Sequence, residues 1–280
     1  MASQIDLHCH TTASDGALAP MALVDRAIGR DIKTLAITDH DTMAGYRQVK
    51  DYAKEQGLHL IPGIELSSQW RGLGIHVVGL GMDPTHPVIV EAERSQTEVR
   101  RARAITIAQR LAKKLQKEID FAAVEALAGG EVGRPHFAQY LVDQGLVPDR
   151  NTAFKKYLGA GKIGDVKSGW PTMETVVKWI VESGGQAVLA HPHHYNLTRT
   201  KLLDCIAAFQ YAGGKAMEVC CGLMDKNQSN QLQKIAQSEG LYGSCGSDFH
   251  GPNKFGLDLG VMPAFPAATE LPHVLDAIHA

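Results

Sequence analysis

Thr34-Leu35-Ala36-Ile37-Thr38-Asp39-His40-Asp41, then the stretch Met43 to Gln56, then Leu58-His59-Leu60-Ile61-Pro62-Gly63-Ile64-Glu65 decide the fold between them. Thr34 to Thr38 and Leu58 to Ile64 are apolar runs of strand length, bounded by polar residues or glycine. Met43 to Gln56 between them carries a helical pattern. Strand, helix and strand in succession predict two parallel neighbours in one sheet. Both strands also close on acid or imidazole groups, Asp39-His40-Asp41 after the first and Glu65 after the second.

The same rhythm extends in both directions. Ile75 to Leu80, Gln186 to Ala190, Ala216 to Val219 and Leu241 to Ser244 read as further buried strands. Pro20 to Arg30, with Leu23, Val24, Ala27 and Ile28 on one face, reads as a helix, as do Met173 to Ser183, Lys201 to Ala212 and Ser229 to Glu239. So many βα units close most economically as an α/β barrel, complete or distorted, with its active groups at the C-terminal ends of the strands. From Arg94 to Gly169 the pattern is helical with no strand between, which predicts an inserted helical cap, 94–169, in a barrel formed by 1–93 and 170–280. Inside that insertion, Arg94 to Lys117 holds Arg94, Arg100, Arg101, Arg103, Arg110, Lys113, Lys114 and Lys117 against Glu98 alone. Such a charged helix is either a solvated face or a contact for a polyanion.

Composition limits the function classes. The 280 residues are 44% apolar and 21% charged, ordinary for a globular chain. Lys and Arg number 28 against 30 Asp and Glu, a net charge of −2, which excludes a surface that is basic throughout. No apolar run approaches the roughly 20 residues of a membrane span, and Met1 to Asp6 does not read as a leader, so a cytoplasmic location is expected. Five cysteines without scaffold spacing are expected to stay reduced. The excess is in histidine, with thirteen.

In Ile5-Asp6-Leu7-His8-Cys9-His10 the two histidines stand two apart, on one face of a strand, and Asp15 follows a turn-like segment. Imidazoles aimed into one volume repel as cations but share a metal as neutral ligands. His40, Glu65 and His76 follow in the same half of the chain. His191 precedes Pro192, which favours an extended backbone at the histidine, and Asp248-Phe249-His250 repeats the spacing of two. A barrel brings His8, His10, Asp15, His40, Glu65, His76, His191, Asp248 and His250 to one rim, where unpaired polar groups are costly unless metal or solvent satisfies them. Nine ligands exceed one ion and suit two or three. Nitrogen and oxygen donors without thiolate suit Mn²⁺, Zn²⁺ or Fe²⁺. Cys9 lies on the opposite strand face, as packing.

Asp6-Leu7-His8-Cys9-His10-Thr11-Thr12-Ala13-Ser14-Asp15-Gly16, Thr38-Asp39-His40-Asp41, Gly63-Ile64-Glu65, His76, Ala190-His191-Pro192 and Gly246-Ser247-Asp248-Phe249-His250 together resemble the polymerase and histidinol phosphatase (PHP) family over nearly the whole chain. The resemblance implies a distorted (β/α)7-type, TIM-like barrel with a trinuclear site built from those nine residues, Mn²⁺ being the first choice. His76-Val77-Val78-Gly79-Leu80-Gly81, the helical insertion and Arg134-Pro135-His136-Phe137 resemble the branch of 3',5'-nucleotide bisphosphate phosphatases and 5' to 3' exoribonucleases. That branch implies removal of the 3'-phosphate from nucleoside 3',5'-bisphosphates and degradation of short RNA from its 5' end; a protein partner is not expected. Where the branch carries Gly-Arg-Tyr after His-Pro, this chain has His193-His194-Tyr195.

Bound divalent ions that lower the pKa of water and neutralise phosphoryl oxygens address the main barrier to phosphate ester hydrolysis. The expected catalytic residues are Glu65 as bridging carboxylate, Asp15, His191 and Asp248. Asp39 and Asp41 are expected to orient imidazoles, and Glu218 is either another such group or a structural carboxylate. Arg134, His136 and Lys162 are expected to take the second phosphate of the substrate, with His194 and Arg199 as further candidates. The competing readings are a phosphate monoesterase of the histidinol-phosphatase kind and a noncatalytic, metal-stabilised module.

Overall fold

The structure, a computed structural model, describes residues 3–167, 169–252, 256–267 and 270–278. Its first half runs β1 (Ile5–Asp6), α1 (Pro20–Gly29), β2 (Thr34–Ile37), α2 (Ala44–Glu55), β3 (His59–Trp70) and β4 (Leu73–Leu80). A helical stretch follows: α3 (Pro87–Leu115), α4 (Phe121–Leu127), α5 (Arg134–Asp143), α6 (Arg150–Ala153) and a π-helical turn, Phe154–Leu158. The alternation then resumes with α7 (Met173–Glu182), β5 (Gln186–Leu189), α8 (Arg199–Tyr211), β6 (Ala216–Cys221), α9 (Lys226–Ser238), β7 (Tyr242–Gly246) and α10 (Val274–Ile278). The seven strands lie in sequence order in one sheet. β1 to β3 are parallel, as are β5 to β7, and β4 runs antiparallel to both β3 and β5. The ends approach closure, with Leu7 N donating to Cys245 O at 3.0 Å and Asp248 N to His8 O at 2.8 Å. A Cβ on Gly246 would stand 2.3 Å from that of His8, so glycine is what lets β7 come this near.

The α/β barrel is thus as expected, and its distortion has a local origin. Arg71 and Gly72, with φ of 47° and 77°, form the tight turn of a β3–β4 hairpin. β3 therefore extends beyond its expected end at Ile64, and Glu65 is interior to the strand, opposite Val78, with Ser67 opposite His76. The extension carries the polar run Ser67-Ser68-Gln69. In the fold its groups are satisfied by Asp41, the Ile75 carbonyl and the Trp170 carbonyl.

The helical stretch starts at Pro87, seven residues before the expected Arg94, with His86 as its N-cap. Ile89 and Ala92 of α3 pack into the main barrel cluster. Ala104, Ile107 and Leu111, further along the same helix, pack with Phe137, Leu141 and Leu158 in a cluster drawn entirely from the helical stretch. One long helix therefore joins two cores and lies over the barrel where the chemistry-bearing side chains emerge.

Candidate active site

The site forms where β1, β2, β5 and β7 end and where the β3–β4 hairpin rises past them. β1 stops at Asp6, but Cys9 still pairs with Phe249, so His8 and His10 face the same way and their Nε2 atoms lie 3.2 Å apart. Cys9 points away and donates to the Ala36 carbonyl. Asp6, buried, accepts from the backbone N–H groups of Ser247 and Gly260 at 2.8 Å, tying the first strand to the loop that carries Asp248.

Glu65 is the hub. Its Oε2 lies 3.3 Å from Nε2 of both His8 and His10 and 2.9 Å from Nδ1 of His40. Its Oε1 faces His76 Nδ1 at 2.8 Å and His191 Nε2 at 2.9 Å. Asp248 Oδ1 approaches His10 Nε2 at 3.3 Å and His250 Nδ1 at 3.5 Å. Asp15 Oδ1 lies 3.2 Å from His250 Nε2 and 3.8 Å from His40 Nε2. All nine rim residues expected from sequence are therefore brought together.

Burial disfavours every charge here, yet the neighbours decide the outcome. It opposes the Glu65 carboxylate, but His40, His76 and His8 outweigh it and hold the carboxyl well below its usual range. Burial, with His250 and His40 adding to it, pushes His10 down to about 3, leaving a neutral ring with lone pairs. Against burial, Asp15 and Asp248 lift His250 to about 10. His10 Nδ1, Asp15 Oδ1, His40 Nδ1, Glu65 Oε2 and His191 Nδ1 are buried without a hydrogen bond of sound geometry. Three overlapping sets, His10/Asp15/His40/His250, His8/His10/Glu65 and His40/Glu65/His76, keep their donor atoms within 4.8 Å of one another. Converging, unpartnered nitrogen and oxygen atoms fit divalent cations.

The PHP domain description matches residues 6–157, a little over half of the chain. The chain belongs to the PHP family. It is 44% identical over 267 residues to the 5'-3' exoribonuclease Rnm of Escherichia coli (strain K12), covering 95% of this chain and 91% of that protein. It is 38% identical over 267 residues to a 3',5'-nucleoside bisphosphate phosphatase of Chromobacterium violaceum, covering 92% and 91% respectively. A solved structure described as an amidohydrolase from Chromobacterium violaceum, with bound sulfate and no metal, superposes with a TM-score of 0.90 at 36% identity, over 99% of this chain and 96% of that one.

Around the PHP cluster the structure departs from several expectations. Asp39 and Asp41 do not orient imidazoles. Asp39 accepts from Thr11 N, Thr11 Oγ1 and Ser14 Oγ, and so braces the loop leading to Asp15. Asp41, at φ 60°, turns away from His40 to bind Ser67 and Arg100. Glu218 takes the orienting role, accepting from His8 Nδ1 at 2.7 Å and from His191 N at 2.6 Å. His191 is not extended. Its φ of 28° lies in the left-handed region, against the extended backbone that Pro192 favours at the residue before it. Asp248, at φ 52°, likewise meets His250 through a turn rather than through strand alternation.

Above the cluster opens a cavity of ≈ 400 Å³, with Asp15, His40 and His76 at its floor and Arg100, Arg103, Arg134, Lys167 and Trp170 in its wall. Arg134 and His194 line it as expected. Lys162 is exposed in its loop and Arg199 is exposed at the start of α8, and neither lines the cavity, whereas Lys167 does. His136 spends Nδ1 on the Gly133 N–H, capping α5. The basic helix is not one charged face. Arg94 is exposed and paired with Glu91 and Glu98, whereas Arg100 is buried against Asp41 and Arg103 donates to the Val166 carbonyl at 2.6 Å. Sequence reasoning missed Arg100 and Arg103 as pocket residues. Their signal was the spacing of Gln96, Arg100 and Arg103, four and three apart, which places three polar groups on one helix face.

Proposed function

We propose that this PHP protein is a metal-dependent phosphoesterase that removes the 3'-phosphate of nucleoside 3',5'-bisphosphates and degrades RNA from its 5' end. The observation that carries the proposal is one cavity whose floor, Asp15, His40 and His76, is the upper edge of the cluster of buried, unsatisfied nitrogen and oxygen atoms, and whose wall holds Arg100, Arg103, Arg134 and Lys167 with one carboxylate, Asp165, among them. A substrate with two phosphates satisfies both surfaces at once. A monoester of the histidinol-phosphate kind leaves the wall without an anion. The names of the Escherichia coli and Chromobacterium violaceum relatives support the same substrate class.

In this proposal His8, His10, Asp15, His40, Glu65, His76, His191, Asp248 and His250 hold three divalent ions, Mn²⁺ by preference, with Zn²⁺ or Fe²⁺ as alternatives. Such ions lower the pKa of water and draw charge from phosphoryl oxygens, the two demands of phosphate ester hydrolysis. Glu65, whose two oxygens face different imidazoles, would be the carboxylate shared among the ions, and Asp15, His191 and Asp248 would complete the catalytic set. Glu218 fixes the proton of His8 on Nδ1, leaving Nε2 free to ligate. The wall binds and orients the second phosphate, and residues 94–169 act as the cap that supplies it. Burial pushes Arg103 down to about 10, still cationic at neutral pH. Five buried thiols without disulfides support a cytoplasmic location, and no described helix is long and apolar enough to cross a membrane.

The test is a side-by-side assay of Mn²⁺-loaded protein on adenosine 3',5'-bisphosphate, a 5'-phosphorylated oligoribonucleotide and histidinol phosphate. The first two should exceed the third by more than about tenfold in kcat/KM. A preference for histidinol phosphate overturns the proposal.

A further inference from the structure

Two cavities flank the floor. The second, ≈ 300 Å³, is at the lower end of small-molecule pockets. It shares His194 with the first cavity and reaches the floor at Asp248. Their walls differ. Four cations line the first, with Asp165 beside them, whereas among its described lining residues the second has neither Lys nor Arg, and offers His193, Cys221, Leu223, Met224 and Leu257 with Gln228 and Ser247 as uncharged polar groups. The rings of His193 and His194 lie 3.9 Å apart at 47°. Leu223, which lines the same cavity, is an apolar side chain left 56% exposed.

We propose that this second cavity seats the nucleoside on the far side of the scissile phosphate when the substrate is RNA, its base held between the His193–His194 pair and the Leu223–Met224 edge. The proposal rests on the phosphoesterase assignment above and adds a downstream subsite to it. A terminal 3'-phosphate has one ester arm, but a phosphodiester has two, and a phosphate over the floor must send them in different directions. The arm bearing the 5'-phosphate belongs in the cationic cavity. The other ends in a base, and a cavity of imidazole, thioether and aliphatic walls suits an uncharged π-face rather than a phosphate. In the hydrolysis, water gives its oxygen to phosphorus and a proton to O3', the P–O3' bond breaks, and the phosphate stays on O5' of the downstream nucleoside. That product carries the 5'-phosphate which the cationic cavity recognises, and it needs only to pass His194 to become the next substrate.

The experiment compares three substrates on Mn²⁺-loaded enzyme: a 5'-phosphorylated dinucleotide, the same molecule with an abasic second ribose, and the nucleoside 3',5'-bisphosphate. Wild type should favour the dinucleotide over its abasic analogue by about tenfold in kcat/KM. Combining Leu223→Ala with Met224→Ala should lower dinucleotide hydrolysis by about the same factor, while the other two substrates stay within about twofold. His193→Ala should act in the same direction. Equal wild-type rates on the base-bearing and abasic dinucleotides overturn the subsite, as does a double variant that slows all three substrates alike or none. Wild-type enzyme inactive on all three overturns the phosphoesterase assignment itself, an outcome distinct from a failed base preference.

Discussion

The floor and the wall of the main cavity both bury charge, but they satisfy it in opposite ways. On the floor and in the cluster directly beneath it, His10, Asp15, His40, Glu65 and His191 each keep a buried polar atom without a hydrogen bond. In the wall, Arg100 donates to Asp41 and Ser67, Arg103 to the Val166 carbonyl and Arg134 to the Leu158 carbonyl. The floor is incomplete as a protein structure and complete only with a ligand of opposite character. The wall is already satisfied in part, with Asp165 3.7 Å from both Arg134 and Lys167, and in the proposal the remaining N–H groups take the anion. Substitutions in the floor should therefore act through metal and turnover, and substitutions in the wall through folding or through substrate choice.

The largest effect is expected at the hub. Glu65→Gln should lower kcat/KM on every substrate by on the order of 10³-fold or more, since one carboxylate serves five imidazoles. Thermal melts separate this from misfolding. Mn²⁺ at about 100 times its Kd should stabilise the wild-type protein by roughly 2.7 kcal/mol, and the variant should lose most of that response. A variant that still melts higher with Mn²⁺ yet fails to turn over would make Glu65 catalytic without being a ligand, and would break the contrast on the floor side.

Next comes Arg100→Met, an effect on stability. It strands the Asp41 carboxylate, which is buried with Arg100 as its cationic partner. Removing one member of such a pair costs about 3 kcal/mol or more, readable by urea unfolding. The cost should be the same with chelator and with Mn²⁺. A metal-dependent loss would show that the wall and floor are one coupled unit.

Two smaller effects divide by substrate. Glu218→Gln weakens the anchor of His8 and should cost about 10–100-fold on all substrates alike. Arg134→Ala should cost a similar factor on nucleoside 3',5'-bisphosphates and little on a nucleoside 3'-monophosphate, because only the former carries the second phosphate that the proposal assigns to the wall. Equal losses on both substrates would move Arg134 from recognition to architecture.

The floor was legible in sequence because its residues sit at or near strand ends, and closing a barrel leaves those ends nowhere else to go. His8, His40, His191 and Asp248 needed only that step. Glu65 and His76 were found for the right chemistry and the wrong geometry, since the hairpin turn at Arg71-Gly72 that lifts them over the rim is written in two backbone angles rather than in any apolar pattern. The wall was far less legible. Whether an arginine of α3 faces water or the cavity depends on how the helix rolls on the barrel, so Arg94 and Arg100 look alike in the sequence and differ in the fold. Lys162 and Lys167 are separated by the path of one loop. Asp41 misled through adjacency, because a left-handed residue carries it away from the histidine beside it. Asp6 and Glu218 owe their importance to strands that meet only when the barrel closes.

The smallest effect expected is at Arg94, and it tests the contrast where the two residues look most alike. Arg94 shares its helix and its charge with Arg100, but its side chain is 61% exposed and already answered by Glu91 and Glu98. A charge so placed is screened by solvent and cancelled by its own neighbours, so it offers little field to a passing phosphate. Arg94→Ala should change RNA hydrolysis by less than about twofold at any ionic strength. A tenfold loss that fades as salt is raised would mean that the outer face of α3 carries RNA toward the cavity. The wall would then extend beyond the buried arginines, and exposure to solvent, rather than pairing with a carboxylate, would fail to mark a cation of α3 as idle.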